Sequence, residues 1–290
     1  MKTRIISGIV MGAIVAAILV VGFLWAPIVI NLAVAALAIG AVYELLHNAA
    51  GIKSKASIIG AGVFTALFIF SMDGIVLELI AKILKDTVLF YSPETEAVWQ
   101  GKITIILCVL YFIFAVFMVF KNNKEFDLGK IVSLCALPIP YAYAFSCLSG
   151  IINAQHGLFY LLLLFNFSSV CDMGAYFVGV TMGKHKLCPN LSPKKTVEGA
   201  IGGILSAIIV AVIIILCFGF KDKLVAILIV TVPFCILGMA GDLFASAIKR
   251  AVGLKDYGNL IPGHGGILDR VDSIIMIAPV LSIVISLGVI

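Results

Sequence analysis

Charged side chains are scarce in this sequence. Only 12% of its 290 residues are Asp, Glu, Lys or Arg, whereas 62% are hydrophobic, and the mean hydropathy is +1.21. A water-soluble globule of this length cannot be covered with so little polar surface. The composition therefore excludes an ordinary soluble domain and indicates a polytopic membrane protein.

Paired cysteine motifs are absent as well. None of the seven Cys residues forms a CxxC pair, and Cys188 alone lies outside the apolar runs. Neither a zinc site nor a disulfide framework is indicated by this spacing. The cysteines are best interpreted as small packing residues.

Long apolar runs, by contrast, are abundant. A run of roughly 17 to 25 residues can cross a hydrocarbon core of about 30 Å, and it must be helical because lipid cannot satisfy backbone amides. The sequence contains nine such runs, at 5–24, 28–47, 57–80, 103–120, 131–150, 157–182, 200–219, 224–244 and 273–290. The predicted fold class is all-α, a polytopic integral membrane protein with about nine transmembrane helices.

The basic residues predict the orientation of these helices. The start, MKTRIISGIV, has the basic flank of a signal peptide, but its apolar run is long and no small-residue cleavage site follows, so we expect a retained first span. A cytosolic N-terminus places fifteen of the twenty Lys and Arg residues inside. The five outside are Lys82, Lys85, Lys102, Lys221 and Lys223. This asymmetry favours a cytosolic N-terminus.

Polar residues are distributed unequally between the two halves. The first five spans contain few acidic residues, and Glu44, at the end of the second span, is more readily explained as a helix-end charge than as a functional group. We therefore expect residues 1–150 to be a transmembrane scaffold. Residues 151–290 are expected to be catalytic, because their long connections, 183–199 and 245–272, both lie on the predicted cytosolic face.

The exit of the eighth span carries a polar face. If its helix continues beyond the membrane, Asp242, Ser246 and Lys249 fall at i, i+4 and i+7 on one side, with Arg250 beside them. A carboxylate, a hydroxyl and two cations would then share one surface.

A glycine-rich turn precedes the ninth span. Gly263, Gly265 and Gly266 permit close backbone approach, and the helix start behind them offers free amides to a phosphate. Asp269 and Asp272 follow within the first turns, where carboxylates beside a phosphate suit Mg²⁺.

Simpler explanations exist for each feature taken alone. Carboxylates at a helix start complement its dipole, a GHGG turn can be only a turn, and Lys194 with Lys195 can be topology signals. Topology needs only the cations, however, so it explains poorly why acidic residues and a glycine turn share the same predicted face. Asp172, within the sixth span, also requires a partner or a cation.

These residues resemble the signature of phosphatidate cytidylyltransferases, also called CDP-diacylglycerol synthases. The C-terminal part of the resemblance comprises Ser246, Lys249-Arg250, Lys255-Asp256, Pro262-Gly263-His264-Gly265-Gly266, Asp269-Arg270 and Asp272. The upstream part comprises Asp172, Gly174-Ala175-Tyr176-Phe177, Gly179, Gly183-Lys184-His185-Lys186, Ser192-Pro193-Lys194-Lys195-Thr196 and Glu198-Gly199. The similarity covers about residues 170–273 and departs from the family at Met173 and at Val180-Thr181-Met182.

The resemblance implies transfer of a cytidylyl group from CTP to phosphatidate at the cytosolic face of the cell membrane, with Mg²⁺ and with K⁺ as a further candidate cation. It assigns Asp242 and Asp269 to the metal, with Asp172 and Asp272 as supporting ligands. The residues implied to hold phosphates are Lys194, Lys195, Lys249, Arg250, Lys255, His264 and Arg270. Substrate contacts are also implied for Asp256 and the three glycines of the turn, and lesser polar contacts for Ser192 and Ser246.

Other classes of membrane protein also carry acidic and basic residues in their helices. An anionic-solute transporter would place its charges near the bilayer midplane, often within an internal repeat that this sequence lacks. A CTP-dependent lipid kinase shares the substrate logic and stays open, whereas the DG-x2-AR motif of CDP-alcohol phosphotransferases is absent. No nucleic-acid partner is expected, and small residues in the first spans leave open whether two copies form a homodimer.

Overall fold

The computed structural model describes residues 2–24, 27–73, 93–189, 191–261, 263 and 265–290. Its contacts divide the chain into two compact units. The N-terminal unit comprises Met1–Gly150 and Asp256–Leu268, and the C-terminal unit comprises Ile151–Lys255 and Asp269–Ile290. The assignment of a scaffold to 1–150 and catalysis to 151–290 is a functional division, and it stays a prediction.

The N-terminal unit is helical in its described parts. Its helices are α1 (Lys2–Leu24), α2 (Pro27–Tyr43), α3 (Lys55–Met72), α4 (Pro93–Lys121), α5 (Leu128–Ala136) and α6 (Pro138–Asn153). Helix α2 continues directly into a π-helical segment, Glu44–Ala49, in which the Ala50 amide donates to the Leu45 carbonyl across five residues at 2.9 Å. The core of this unit lies where α2, α3 and α4 pack together. There the Tyr111 ring stacks on Phe64, with centroids 4.2 Å apart.

The C-terminal unit contains the remaining helices and a small hairpin. Its elements are α7 (Gly157–Phe165), α8 (Cys171–Met182), β1 (Lys186–Cys188), β2 (Ser192–Thr196), α9 (Val197–Phe218), α10 (Leu224–Ala251) and α11 (Leu268–Ser286), which begins one residue before this unit. A π-helical segment, Asn166–Val170, joins α7 to α8. Helix α8 packs closely on α9. A Cβ added at Gly203 would lie 2.5 Å from the Cys171 carbonyl oxygen, so this contact leaves no space for a side chain.

The hairpin lies in the connection 183–199, for which the sequence predicted only a loop. Strands β1 and β2 are antiparallel, with Lys186 opposite Thr196 and Cys188 opposite Ser192. The buried Thr196 then caps α9 by accepting a hydrogen bond from the Gly199 amide at 3.1 Å. The sequence predicted an all-α fold, and the two short strands make the observed fold nearly all-α.

Seven helical segments in the described parts of the chain are long and apolar enough to cross a membrane. They are Ile28–Ala49, Lys55–Met72, Val98–Lys121, Leu128–Asn153, Gly157–Met182, Val197–Phe218 and Lys221–Ala251. These correspond to the second to eighth predicted spans, and they show a multi-pass membrane protein. Among the described residues, α1 contributes only the shorter apolar stretch Gly12–Phe23 to the first predicted span, and α11, at the ninth, is not among the seven. The total of nine spans and the cytosolic N-terminus therefore stay predictions.

Candidate active site

Helix α10 carries the first group of candidate residues. It runs without interruption from Leu224 to Ala251, so the helix does continue beyond the apolar run 224–244. Helical geometry therefore places Asp242, Ser246 and Lys249 along one face. The Lys249 side chain is buried although it lies in the last turns of the helix.

Lys249 forms a buried ion pair with Asp269, the second residue of α11. The Lys249 Nζ donates to the Asp269 Oδ1 at 2.7 Å, and the two side chains are only 9% and 4% exposed. Removing two charges from water is costly, so such a pair contributes little net stability while it stays intact. Loss of one partner would leave an uncompensated charge, which makes the pair a strict geometric constraint between α10 and α11.

A second ion pair connects the hairpin to α10. The Nζ of Lys195, on strand β2, lies 2.5 Å from the Asp242 Oδ2, and both side chains are about one-quarter exposed. The SPKKT sequence forms an extended strand that ends where Thr196 caps α9. The strand thus places Lys195 at the start of that helix.

Two further carboxyl groups adjoin Asp242. The charge of Asp242 acts on the carboxyl groups of both Asp272 and Asp172. Helices α10 and α11 also approach each other closely here. A Cβ added at Gly241 would lie only 3.0 Å from the Asp272 carbonyl oxygen. Like charges this close repel unless a proton, a Lys or a cation lies between them.

These six side chains form a cluster, which we call the Asp/Lys cluster: Asp172, Lys195, Asp242, Lys249, Asp269 and Asp272. All six belong to the C-terminal unit. Carboxylate oxygens are the donors that Mg²⁺ prefers, and the lysines can neutralise phosphates. Within the described residues, however, no three His, Cys, Asp or Glu side chains already stand as a metal centre. A cation here would have to compete with lysines for two of the carboxylates, because Lys195 engages Asp242 and Lys249 engages Asp269.

Other predicted site residues of the C-terminal unit lie outside this cluster. Lys194, Arg250, Lys255 and Arg270 are exposed, whereas Ser192 and Ser246 are half-buried. The Arg250 guanidinium donates to the Leu254 carbonyl at 2.9 Å, across the end of α10.

The glycine-rich turn and Asp256 belong to the N-terminal unit. Gly263 and Gly265 adopt positive φ angles of 78° and 87°, conformations that side chains with a Cβ rarely take. The Ile261 amide donates to the Gly265 carbonyl at 2.9 Å and closes the turn. His264, a predicted phosphate contact, lies outside the described residues.

Two glutamates have structural roles that the sequence did not indicate. The Glu198 carboxylate accepts from the Lys184 amide at 3.0 Å and the His185 amide at 3.2 Å, which ties the start of the hairpin to α9. Glu44 is fully buried and accepts from the Ile267 and Leu268 amides. A signal for Glu44 did exist in the sequence, since it is the only acidic residue before Asp73.

The fold and the cluster together define a class of protein: a multi-pass helical membrane protein in which carboxylates and lysines of apolar helices and a short hairpin form one cluster. Comparison with known proteins identifies the class more closely. Residues 2–287 match the model of the cytidylyltransferase family.

Individual relatives agree with this match. The chain is 35% identical over 202 residues to a phosphatidate cytidylyltransferase of Staphylococcus haemolyticus, covering 68% of this chain and 75% of the relative. It is 36% identical over 194 residues to the Bacillus subtilis phosphatidate cytidylyltransferase, covering 67% and 71%. A Staphylococcus aureus phosphatidate cytidylyltransferase is 44% identical over 131 residues, covering 45% and 50%. The chain belongs to the cytidylyltransferase family, and it is a nucleotidyltransferase.

Proposed function

We propose that this protein transfers the cytidylyl group of CTP to phosphatidate, forming CDP-diacylglycerol and pyrophosphate. Its membership of the cytidylyltransferase family and the names of its bacterial relatives support this reaction. The bacterial relatives also favour the cell membrane as its location, where the product would enter phospholipid synthesis.

One observation carries the proposal to particular residues. The Asp/Lys cluster holds two ion pairs, Lys195 with Asp242 and Lys249 with Asp269, beside the carboxyl groups of Asp172 and Asp272. A reaction between two phosphate-bearing substrates needs cations for their charges and carboxylates for a metal. The cluster supplies both kinds of group within one unit of the protein.

The chemistry requires no strong base. The phosphate monoester of phosphatidate has a second pKa near 6, so a terminal oxygen is already largely ionised at neutral pH. That oxygen attacks the α-phosphorus of CTP in line, a new P–O–P bond forms, and the bond to the β-phosphate breaks. Pyrophosphate leaves with the electron pair of the broken bond, and no proton transfer is needed. The absence of a Ser/His or His/Asp relay from the sequence motifs is consistent with this.

The cations of the site neutralise the approaching anions. Lys195 and Lys249 would hold phosphate oxygens, and the exposed Lys194, Arg250, Lys255 and Arg270 would attract CTP from the cytosol. The ion pair between each lysine and its carboxylate partner would have to weaken when the lysine binds a phosphate. His264 and the turn containing Gly263, Gly265 and Gly266 would add donors, with Asp256, Ser192 and Ser246 as lesser contacts.

The carboxylates are of the chemical type that a divalent cation binds. Asp242 and Asp272 would hold it, with Asp172 and Asp269 as further ligands and K⁺ as an additional candidate cation. When bound, Mg²⁺ would neutralise charge that develops on the phosphate oxygens of CTP. The carboxylates would in turn keep the cation at the boundary between cytosol and lipid.

The location of the site at a membrane surface is also proposed. With the N-terminus in the cytosol, the connections 183–199 and 245–272 share the cytosolic side. One substrate has its phosphate at the membrane surface with its chains in lipid, and the other arrives from water. The reacting atoms can therefore meet only at this boundary.

Position-specific labelling of CTP tests the reaction. The purified protein is incubated in detergent with phosphatidate, Mg²⁺ and CTP labelled at either the α- or the γ-phosphorus, and the lipids are extracted. We expect label in the organic phase from α-labelled CTP only. Label from γ-labelled CTP would identify a CTP-dependent lipid kinase instead, and label from neither would contradict both enzymes.

A further inference from the structure

Glu44 occupies an unusual place for a carboxylate. It lies within the membrane-crossing segment Ile28–Ala49, as the first residue of its π-helical part, and its exposure is 0%. Its Oε1 accepts from the Ile267 amide at 3.0 Å, and its Oε2 accepts from the Leu268 amide at 2.9 Å. These are amides at the start of α11, where a helix has donors without intrahelical partners. Residues more than 200 positions apart in the chain are thereby tied together.

Two glycines lie against the Glu44 carboxylate. A Cβ at Gly258 would lie 2.5 Å from the Glu44 Oε1, and a Cβ at Gly266 would overlap the Oε2. Among the described glycines with positive φ, neither of these two appears. Neither glycine therefore depends on a positive φ, and a Cβ at either position would take space that the buried carboxylate occupies.

A second contact secures the same loop. The Asn48 Nδ2, one turn after Glu44, donates to the Tyr257 carbonyl at 2.6 Å, and the Tyr257 side chain is buried at 1% exposure. The π-helical segment thus holds the loop 257–268 at both of its ends. All of these residues belong to the N-terminal unit.

The cost of burying the Glu44 carboxylate fixes its position relative to its hydrogen-bond donors. A buried carboxylate is costly unless donors surround it, and here it meets two amides at the positive end of a helix dipole. Hydrogen bonds to charged groups are among the strongest in proteins. The carboxylate and the start of α11 therefore depend on each other's position.

We propose that Glu44 is a positioning residue for the transfer reaction, acting through the loop 257–268. Asp269 follows Leu268 directly in the chain, so the amides that Glu44 fixes belong to the same helical turn as that carboxylate. Glu44 itself touches neither substrate. This inference rests on the proposed function, because it gives the loop and Asp269 a role in catalysis.

The variant Glu44→Gln tests the role of the charge. An amide offers one acceptor oxygen, and its NH2 group would face the second backbone donor. We expect kcat/KM per folded molecule to fall about tenfold or more, the amount expected for loss of a charged hydrogen bond. The Mg²⁺ concentration for half-maximal rate should rise, which a role in folding alone would not cause. Hydrogen exchange at the Ile267 and Leu268 amides should become faster, and this measurement does not depend on activity.

The variant Gly258→Ala tests the same mechanism sterically. Its methyl group would displace the Glu44 carboxylate without touching a predicted substrate residue. If both changes act through that carboxylate, the double variant Glu44→Gln/Gly258→Ala should be no less active than the more damaging of the two single variants. Additive losses would contradict a shared mechanism.

Glu125→Gln is the matched control. The Glu125 carboxylate also accepts two backbone amides at a helix start, from Lys53 and from Ser54 at 3.0 Å, but at α3. We expect a lower yield of folded protein at most, with unchanged kcat/KM. An equal loss of kcat/KM in Glu125→Gln would overturn the inference.

The exchange measurement separates the two proposals. An inactive wild-type protein would overturn the proposed function. An active wild type with unchanged exchange at the two amides in Glu44→Gln would overturn the positioning role alone.

Discussion

At the scale of single residues, Asp269 has two roles, one structural and one proposed for catalysis. Its carboxylate compensates the charge of the buried Lys249, and the family resemblance assigns it to the metal. We expect Asp269→Asn to lower kcat about a hundredfold or more, because a neutral amide loses a charge that several kcal/mol of transition-state stabilisation depend on. Activity at varied Mg²⁺, normalised to monodisperse protein after gel filtration, measures this. Near-normal turnover at low Mg²⁺ would remove Asp269 from the metal site.

Controls for this variant must account for Lys249, which Asp269→Asn leaves with reduced compensation in a buried site. The double variant Lys249→Met/Asp269→Asn removes both charges and should recover the yield of folded protein, but not activity. Asp222→Asn changes an exposed carboxylate in a distant connection and should leave both unchanged.

The neighbouring lysines Lys194 and Lys195 allow a matched comparison. Lys195 is partly buried and paired with Asp242, whereas Lys194 is exposed. Charges in water are screened, so Lys195→Met should reduce kcat/KM for CTP about tenfold more than Lys194→Met. The loss in Lys194→Met should also shrink as salt is raised. A larger loss in Lys194→Met would show that the phosphates bind at the exposed face of the hairpin.

The sequence identified these charged residues but not their partners. Spacing within one helix places Asp242, Ser246 and Lys249 on one face, because helix geometry is periodic. The pairing of Lys249 with Asp269 and the contact of Glu44 with Leu268 join separate elements, and periodicity carries no information about such contacts. A charge at the end of an apolar helix can usually reach water, so its position in the sequence does not distinguish Glu44 from an ordinary helix-end charge.

At the scale of elements, the glycine-rich turn gives a direct test. Gly265 has a φ of 87°, so Gly265→Val would strain the backbone and place a branched side chain where amides should approach a phosphate. We expect activity per folded molecule to fall much more than expression. Steady-state kinetics with both CTP and phosphatidate measure the effect.

Gly219→Val provides the control for backbone strain. Gly219 has a φ of 79° at the end of α9, with open space around its Cα. Its substitution should lower stability without changing KM or kcat. Unchanged kinetics in Gly265→Val would mean that the turn is structural and that side chains alone hold the phosphates.

The elements that sequence analysis missed are short. The strands of the hairpin have three and five residues, too few for an alternating pattern to stand out among Lys, Pro and Ser. The break between α5 and α6 at Leu137 likewise lies inside one predicted span, 131–150, and the apolar pattern does not reveal it. Long apolar runs are more predictable, because lipid requires every backbone amide in them to be satisfied within the helix.

At the scale of the whole molecule, the predicted topology can be tested by chemical labelling. Lys221 and Lys255 are both exposed, and they lie on opposite sides of the membrane if α10 spans it. In a Cys-free background, an impermeant thiol reagent should label Lys221→Cys on intact cells, but Lys255→Cys only after permeabilisation. The reverse pattern would invert the predicted orientation.

The two π-helical segments have a consequence for changes in chain length. An insertion or deletion of one residue within an α-helix rotates everything after it by about 100°. A π-helical turn already accommodates one residue more than an α-helical turn. One residue removed from Asn166–Val170 would therefore convert that turn to α-helix and leave Asp172 facing the same side, whereas the same deletion within α8 would turn the following residues away. Natural relatives that differ in length by a single residue should carry their alignment gaps in these two segments.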